Sequence, residues 1–155
     1  MRGRIDRKVS SMKDFAIRSP KEKVGGLVYF GRMLDKIRVH AEGELPEEYQ
    51  PNLGKGFDSK CVDFLRVDYA TLAERVEEGG SDEEILAWCF ERGRKPTERE
   101  MHFWNEFMRK CGWNDAISET LTRRKKEGGL ADRADIETMF QFIDADEGRK
   151  VTSDM

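Results

Sequence analysis

A chain of 155 residues that is 38% charged and 37% hydrophobic can bury a real core beneath a highly charged surface, and its three Trp and nine Phe exclude a disordered chain. Its 28 basic and 31 acidic residues are interspersed and leave a net charge of −3, which excludes a global field for nucleic acid or an anionic membrane. No apolar run approaches the roughly 20 residues that span a bilayer, and no apolar segment follows the basic start MRGRIDRKVSSM to make a secretory signal. The cysteines, Cys61, Cys89 and Cys111, are odd in number and scattered, which argues against a disulfide framework or a zinc ribbon. The expectation is a cytoplasmic protein with three reduced thiols.

In chain order, residues 1–11 read as a flexible N-terminal extension. A single helical domain follows over 12–149, and then a disordered tail over 150–155. From Ser19 the chain runs SPKEKVGGLVYFGRMLDKIRVH. A Ser-Pro turn and the pair Gly25-Gly26 lead into an apolar stripe of Leu27, Phe30, Leu34, Ile37 and Ala41, which predicts a helix from Gly26 to about Glu42. GELPEEYQPNLGKGFDS has the composition of a long loop. A short helix over about Lys60 to Leu65 follows an Asp58-Ser59 cap.

The remaining helix ends are well marked. Asp68 caps a helix that Val67 staples onto Leu72 and Gly79 stops. Ser81 with Glu84, and Thr97 with Glu100 after Pro96, form capping boxes for helices that end at Gly93 and Gly112. Asn114 or Asp115 opens a helix stopped by Gly128. Asp132 opens the last one, with Ile136, Met139, Phe140 and Ile143 at i, i+3, i+4, i+7 spacing and Gly148 as its stop. No alternating segment is long enough to read as a strand. The predicted helices lie near 26–42, 69–78, 82–92, 98–111, 115–127 and 133–146. The fold class is all-α, a compact orthogonal bundle of six or seven short helices.

RSPxxKxGGLVxxxRxLDKxR from Arg18, FLRVD from Phe64, SDEEILAWCFERG from Ser81, GWND from Gly112 and GGLADRADIETMFQFIDADEGR from Gly128 occur in one order along the chain. Together they resemble a bacterial family of all-helical domains, domain of unknown function 5069, over about Phe15 to Arg149. The resemblance implies a helical fold and places Arg32, Asp35 and Lys36 in the family's opening motif. It implies no activity.

The candidate chemistry gathers in that motif. Arg32, Asp35 and Lys36 share one helical face, offset from the apolar stripe. Arg32 or Lys36 could hold an anionic group while Asp35 orients it or acts as a base. Alternatively they form an intrahelical ion pair that clamps the long loop onto the bundle. Gly31 would let another backbone approach. Gly25 and Gly26 would offer free N–H groups at the positive end of the same helix. The expectation is that Gly25, Gly26, Arg32, Asp35 and Lys36 converge on one anion-accepting site.

Other constellations are weaker. Glu98, His102 and Glu106 read as a solvated helix face rather than a metal column, and Asp144 to Gly148 lacks the ligand pattern of a calcium loop. Cys61 with His40 is the thiol–base pair to consider, against an inert thiol. The run from Arg123 to Lys126 suits a helix C-terminus and has no interleaved aromatics for nucleic acid. Trp88 and Trp104 fall on apolar faces, and Trp113 is the aromatic expected at the surface, marking an interface. The functional expectation is a non-catalytic ligand-binding or protein-interaction module with no metal and no cofactor. Its partners would be a small anionic ligand or a second copy in a homodimer, with no nucleic acid and no membrane. The alternative is a small enzyme acting on an anionic metabolite through Arg32, Asp35 and Lys36.

Overall fold

The computed structural model describes residues 17–152, so the extension read over 1–11 lies outside the described residues. An antiparallel hairpin of β1 (Lys23–Val24) and β2 (Leu27–Val28) comes first, followed by α1 (Phe30–Ala41). A 3-10 turn (Glu47–Asn52) leads to α2 (Phe57–Leu65), α3 (Tyr69–Glu77), α4 (Asp82–Arg92), α5 (Glu98–Lys110), α6 (Ser118–Glu127) and α7 (Met139–Asp146). The described residues are therefore mostly helical, as the caps and stops require. They divide into two packed units. One is formed by residues 22–104 with 17 and 18, the other by 105–152 with 19–21.

The hairpin corrects the predicted start of the first helix. Gly25 and Gly26 have φ of 56° and 88°, and positive values at both central positions are what a type I′ hairpin turn needs. Val24 pairs with Leu27 across them. Leu27 thus serves the core from a strand rather than from the first turn of α1. Two-residue strands are too short to show an alternating pattern, so their one sequence signal is the Gly-Gly pair between Val24 and Leu27.

Three caps match their sequence signals. Asp68 accepts from the Thr71 amide at 3.0 Å. Ser81 with Glu84 and Thr97 with Glu100 make reciprocal capping boxes. Three expected caps differ. Asp115 closes a turn by accepting from the amides of Gly112 and Ile117, and α6 begins at Ser118. The last helix begins at Met139, where Thr138 and Gln141 form a capping box, so Asp132 precedes it by two turns. α2 starts at Phe57 with Gly56 as its N-cap, which places Asp58 inside the helix rather than at its cap.

In the unit of residues 22–104, α1 packs on β1 and α3, α3 on α2 and α4, and α4 on β1. Phe30, Met33, Leu34, Leu65, Leu72 and Ile85 are fully enclosed. Trp104 is buried, donates its indole N–H to the Val28 carbonyl at 3.1 Å, and stacks on Phe64 with ring centroids 4.8 Å apart. Trp88 is only half-buried, with the Arg92 guanidinium over its ring. In the other unit α6 packs on α7 around Met108, Leu121, Met139 and Phe140. Of the residues read as a tail, Thr152 accepts a hydrogen bond from Gln141 at 2.9 Å.

Gly93 shows how tightly the connection after α4 is drawn onto the end of α2. A Cβ there would lie 2.0 Å from the Leu65 carbonyl oxygen and 2.6 Å from that of Arg66. The neighbouring Arg94 amide bonds the Leu65 carbonyl at 3.0 Å. Both obstacles are backbone and cannot rotate away. Gly93→Ala is expected to destabilise the protein by about 3 kcal/mol, read as a lowered denaturant midpoint with an unchanged slope.

Candidate functional site

Arg32, Asp35 and Lys36 are buried on α1, with 4%, 8% and 5% of their surface exposed. Taking charges out of water costs several kcal/mol each unless they are paired and hydrogen-bonded. Their partners therefore define what the knot does.

Lys36 belongs to an inner cluster. Its Nζ lies 2.9 Å from Asp58 Oδ1 and donates to the Tyr29 hydroxyl at 3.1 Å. The Tyr29 hydroxyl in turn donates to the same Asp58 oxygen at 2.6 Å. Asp58 is completely enclosed. Its second oxygen accepts the Gly54 amide at 3.0 Å, so the long loop ahead of α2 is tied to the same carboxylate. Tyr29, between β2 and α1, has φ of 73°. That left-handed conformation costs a bulky residue roughly 1–2 kcal/mol, and it aims the phenol at Asp58 and Lys36.

Asp35 belongs to an outer cluster. It accepts two bonds from the Arg18 guanidinium, at 2.8 and 2.9 Å, and a third from the Arg18 amide at 3.0 Å. Arg18 also reaches Asp82 on α4 at 2.8 Å, and Arg38 closes the ring with 2.7 Å to Asp82 and 3.7 Å to Asp35. A Cβ on Gly31 would fall 2.7 Å from the Arg18 guanidinium, so this glycine makes room for a side chain, not for the backbone expected there. Arg32 donates to the Arg18 carbonyl at 3.1 Å.

The structure thus joins Arg32 and Asp35 through Arg18 and gives Lys36 to Asp58 and Tyr29. Gly25 and Gly26 form the hairpin tip, where Gly25 leaves space for Leu86, rather than the N-terminus of α1. Sequence reasoning missed Arg18, Tyr29, Asp58 and Asp82. Arg18 had a signal, since it stands in the same motif as Arg32, Asp35, Lys36 and Arg38. Asp58 was disguised as a cap, and no sequence rule announces a tyrosine at positive φ.

Neither Cys61 nor Cys89 has nucleophilic poise. All three cysteines are free and buried. Burial pushes the Cys61 thiol well up, with Asp58 and Cys89 adding to the effect, and burial pushes Cys89 up to about 12. His40 is exposed at the end of α1. Glu106, from the column weighed as a metal site, is bonded by Arg109 at 2.8 Å and Lys110 at 3.4 Å.

The surface offers a second feature. Phe103, Phe107 and Trp113 are 60%, 50% and 55% exposed. Trp113 lies where the sequence places it, at the surface. Phe103 and Phe107 were missed. Their signal is the four-residue spacing, one position out of step with Trp104 and Met108, which are both buried.

Asp82 links the outer cluster to acid stability. Burial alone would raise its carboxyl, but the bonds from Arg18 and Arg38 outweigh this and hold it below the ordinary carboxylate range. A carboxyl lowered in the folded state stabilises above its unfolded pKa, and that stabilisation is lost as pH falls through the folded value. Wild type is expected to lose stability more steeply than Asp82→Asn below about pH 4, while being the more stable of the two at pH 7. Denaturant titrations across that range measure the difference.

Every residue of both clusters, from Arg18 to Asp82, lies inside the span matched by a known family model. That model, described as Domain of unknown function (DUF5069), matches residues 14–149. A search of curated proteins finds no match to the chain. No helix among the described residues is long and apolar enough to cross a membrane. With 14–149 matched, nearly the whole chain follows the family pattern, and the protein belongs to the DUF5069 family.

Proposed function

We propose that the protein is a non-catalytic interaction domain that docks a protein partner through the exposed face of α5. The observation that carries this reading is the pair Phe103 and Phe107, one helical turn apart and both at least half exposed. With about half of each side chain still exposed, full burial would gain about half of the roughly 1.5–3 kcal/mol of a whole Phe, and exposed aromatics are enriched where proteins meet. Trp113, three residues beyond the end of α5, adds a third.

The charged knot supports the non-catalytic half of the reading. Its carboxylates are already bonded by Arg18, Arg38, Lys36 and Tyr29. An anion approaching Arg32, Asp35 and Lys36 would have to displace Asp58 from Lys36 or Asp35 from Arg18. Breaking a buried pair in this way costs about 3–5 kcal/mol, which a small ligand would have to supply before binding at all.

Affinity-tagged wild type and the Phe103→Ser/Phe107→Ser variant, each expressed in the source cells, test the proposal. Wild type is expected to retain a specific protein that the variant loses, with both chains giving the same circular dichroism. Retention of the same proteins by both would overturn it.

A further inference from the structure

We infer that the partner of this face is a second copy of the chain, paired antiparallel across α5 about a two-fold axis that crosses the face at the level of residue 105. The inference rests on the reading of α5 as a docking face and adds the identity of the occupant. Its basis is a palindrome. Glu100, Phe103, Phe107 and Lys110 are spaced 3, 4 and 3 residues apart. At 100° per residue the four lie within one narrow arc of the helix. Each is partly exposed, with Glu100 also paired to Arg94 at 3.0 Å and Lys110 to Glu106 at 3.4 Å in its own chain, so that a charge across the seam would share these groups. The side chains of Glu100 and Lys110 are 44% and 54% exposed, and the two phenylalanines 60% and 50%.

Reversal about residue 105 maps Phe103 onto Phe107 and Glu100 onto Lys110. A copy laid antiparallel on this face therefore sets each Phe103 against the other chain's Phe107. It sets each carboxylate against the other chain's ammonium. The self-matching patch is what a closed two-fold dimer needs. The arrangement also has a direction. A parallel pair would place Lys110 against Lys110 and Glu100 against Glu100, and like charges across an interface are repulsive. The acidic first turn and basic last turn of α5 add opposed helix dipoles in the same sense. The helix is about 20 Å long, which gives an interface at the small end of the size range, so self-association is sought at about micromolar concentrations and above.

Sedimentation equilibrium of the full chain tests this over a concentration series spanning that range. A monomer–dimer equilibrium is expected for wild type, and Phe103→Ser/Phe107→Ser should weaken it about 30-fold. Charge reversal then reads the register. Glu100→Lys and Lys110→Glu should each weaken self-association, while an equimolar mixture of the two should form a heterodimer, because every 100–110 contact in that pair is again between opposite charges. Glu100 also caps α5, so circular dichroism checks that the Glu100→Lys chain is folded. If it is not, Lys110→Glu with Lys110→Ala supplies the charge arm, and association must fall in the order Lys, Ala, Glu. A chain that stays monomeric throughout overturns the inference, as does a dimer indifferent to the phenylalanines or a mixture that fails to pair. A monomeric chain that still loses a different captured protein on Phe103→Ser/Phe107→Ser would overturn the self-pairing while leaving the docking face standing.

Discussion

Asp58 takes bonds from three parts of the chain at once. Lys36 reaches it from α1, the Tyr29 hydroxyl from the end of the hairpin, and the Gly54 amide from the loop that precedes α2. No water is needed to satisfy it, and it lies beyond the reach of solvent. A carboxylate so placed is stable only while its cation is present. The inner cluster therefore acts as a lock in which hairpin, helix and loop hold one another through a single charge. Tyr29 accepts a left-handed backbone to take part, and the hydrogen bonds at its hydroxyl offset that strain.

How much of this was legible follows from how local each signal is. The capping boxes at Ser81 and Thr97 and the cap at Asp68 need only three or four neighbouring residues, and the structure holds each of them. The Thr138–Gln141 box carries the same kind of signal, whereas Asp132, the acidic residue expected to open this helix, lies in a turn. Two residues per strand carry no period, so the hairpin rested on the Gly-Gly pair alone, which serves equally as a turn into a helix. At the site, the burial of Arg32, Asp35 and Lys36 needed partners as far as 22 residues away in sequence, Arg18 and Asp58 among them, and no periodicity connects them. A dense charge cluster on one helix face indicates that something answers it. Whether Asp58 or a ligand gives the answer is a tertiary fact, and here the bonds to Asp58, Arg18 and Asp82 are made within the protein.

The same helix surface can be fixed on one side and open on the other. Trp104 ties α5 to the hairpin through the Val28 carbonyl and stacks on Phe64. Phe103 is its neighbour in sequence, 100° away around the helix, and stays at the surface. Anchoring one aromatic while exposing the next gives a rigid presentation of apolar area, which lowers the ordering cost of an interface. The division of labour proposed for the protein follows from this contrast, with charges spent on internal architecture and aromatics left for contact.

Lys36 and Asp58 stabilise the fold only as a pair, and a double-mutant cycle measures their coupling. Lys36→Met leaves Asp58 as an uncompensated buried charge, and Asp58→Asn does the same to Lys36, so each alone should cost about 3–5 kcal/mol. The Lys36→Met/Asp58→Asn chain removes both charges together and should be more stable than the sum of the two losses implies, by about 2 kcal/mol or more. Losses that add to within about 0.5 kcal/mol would mean that the two residues act independently, and would contradict the account of the buried knot as the structure's lock.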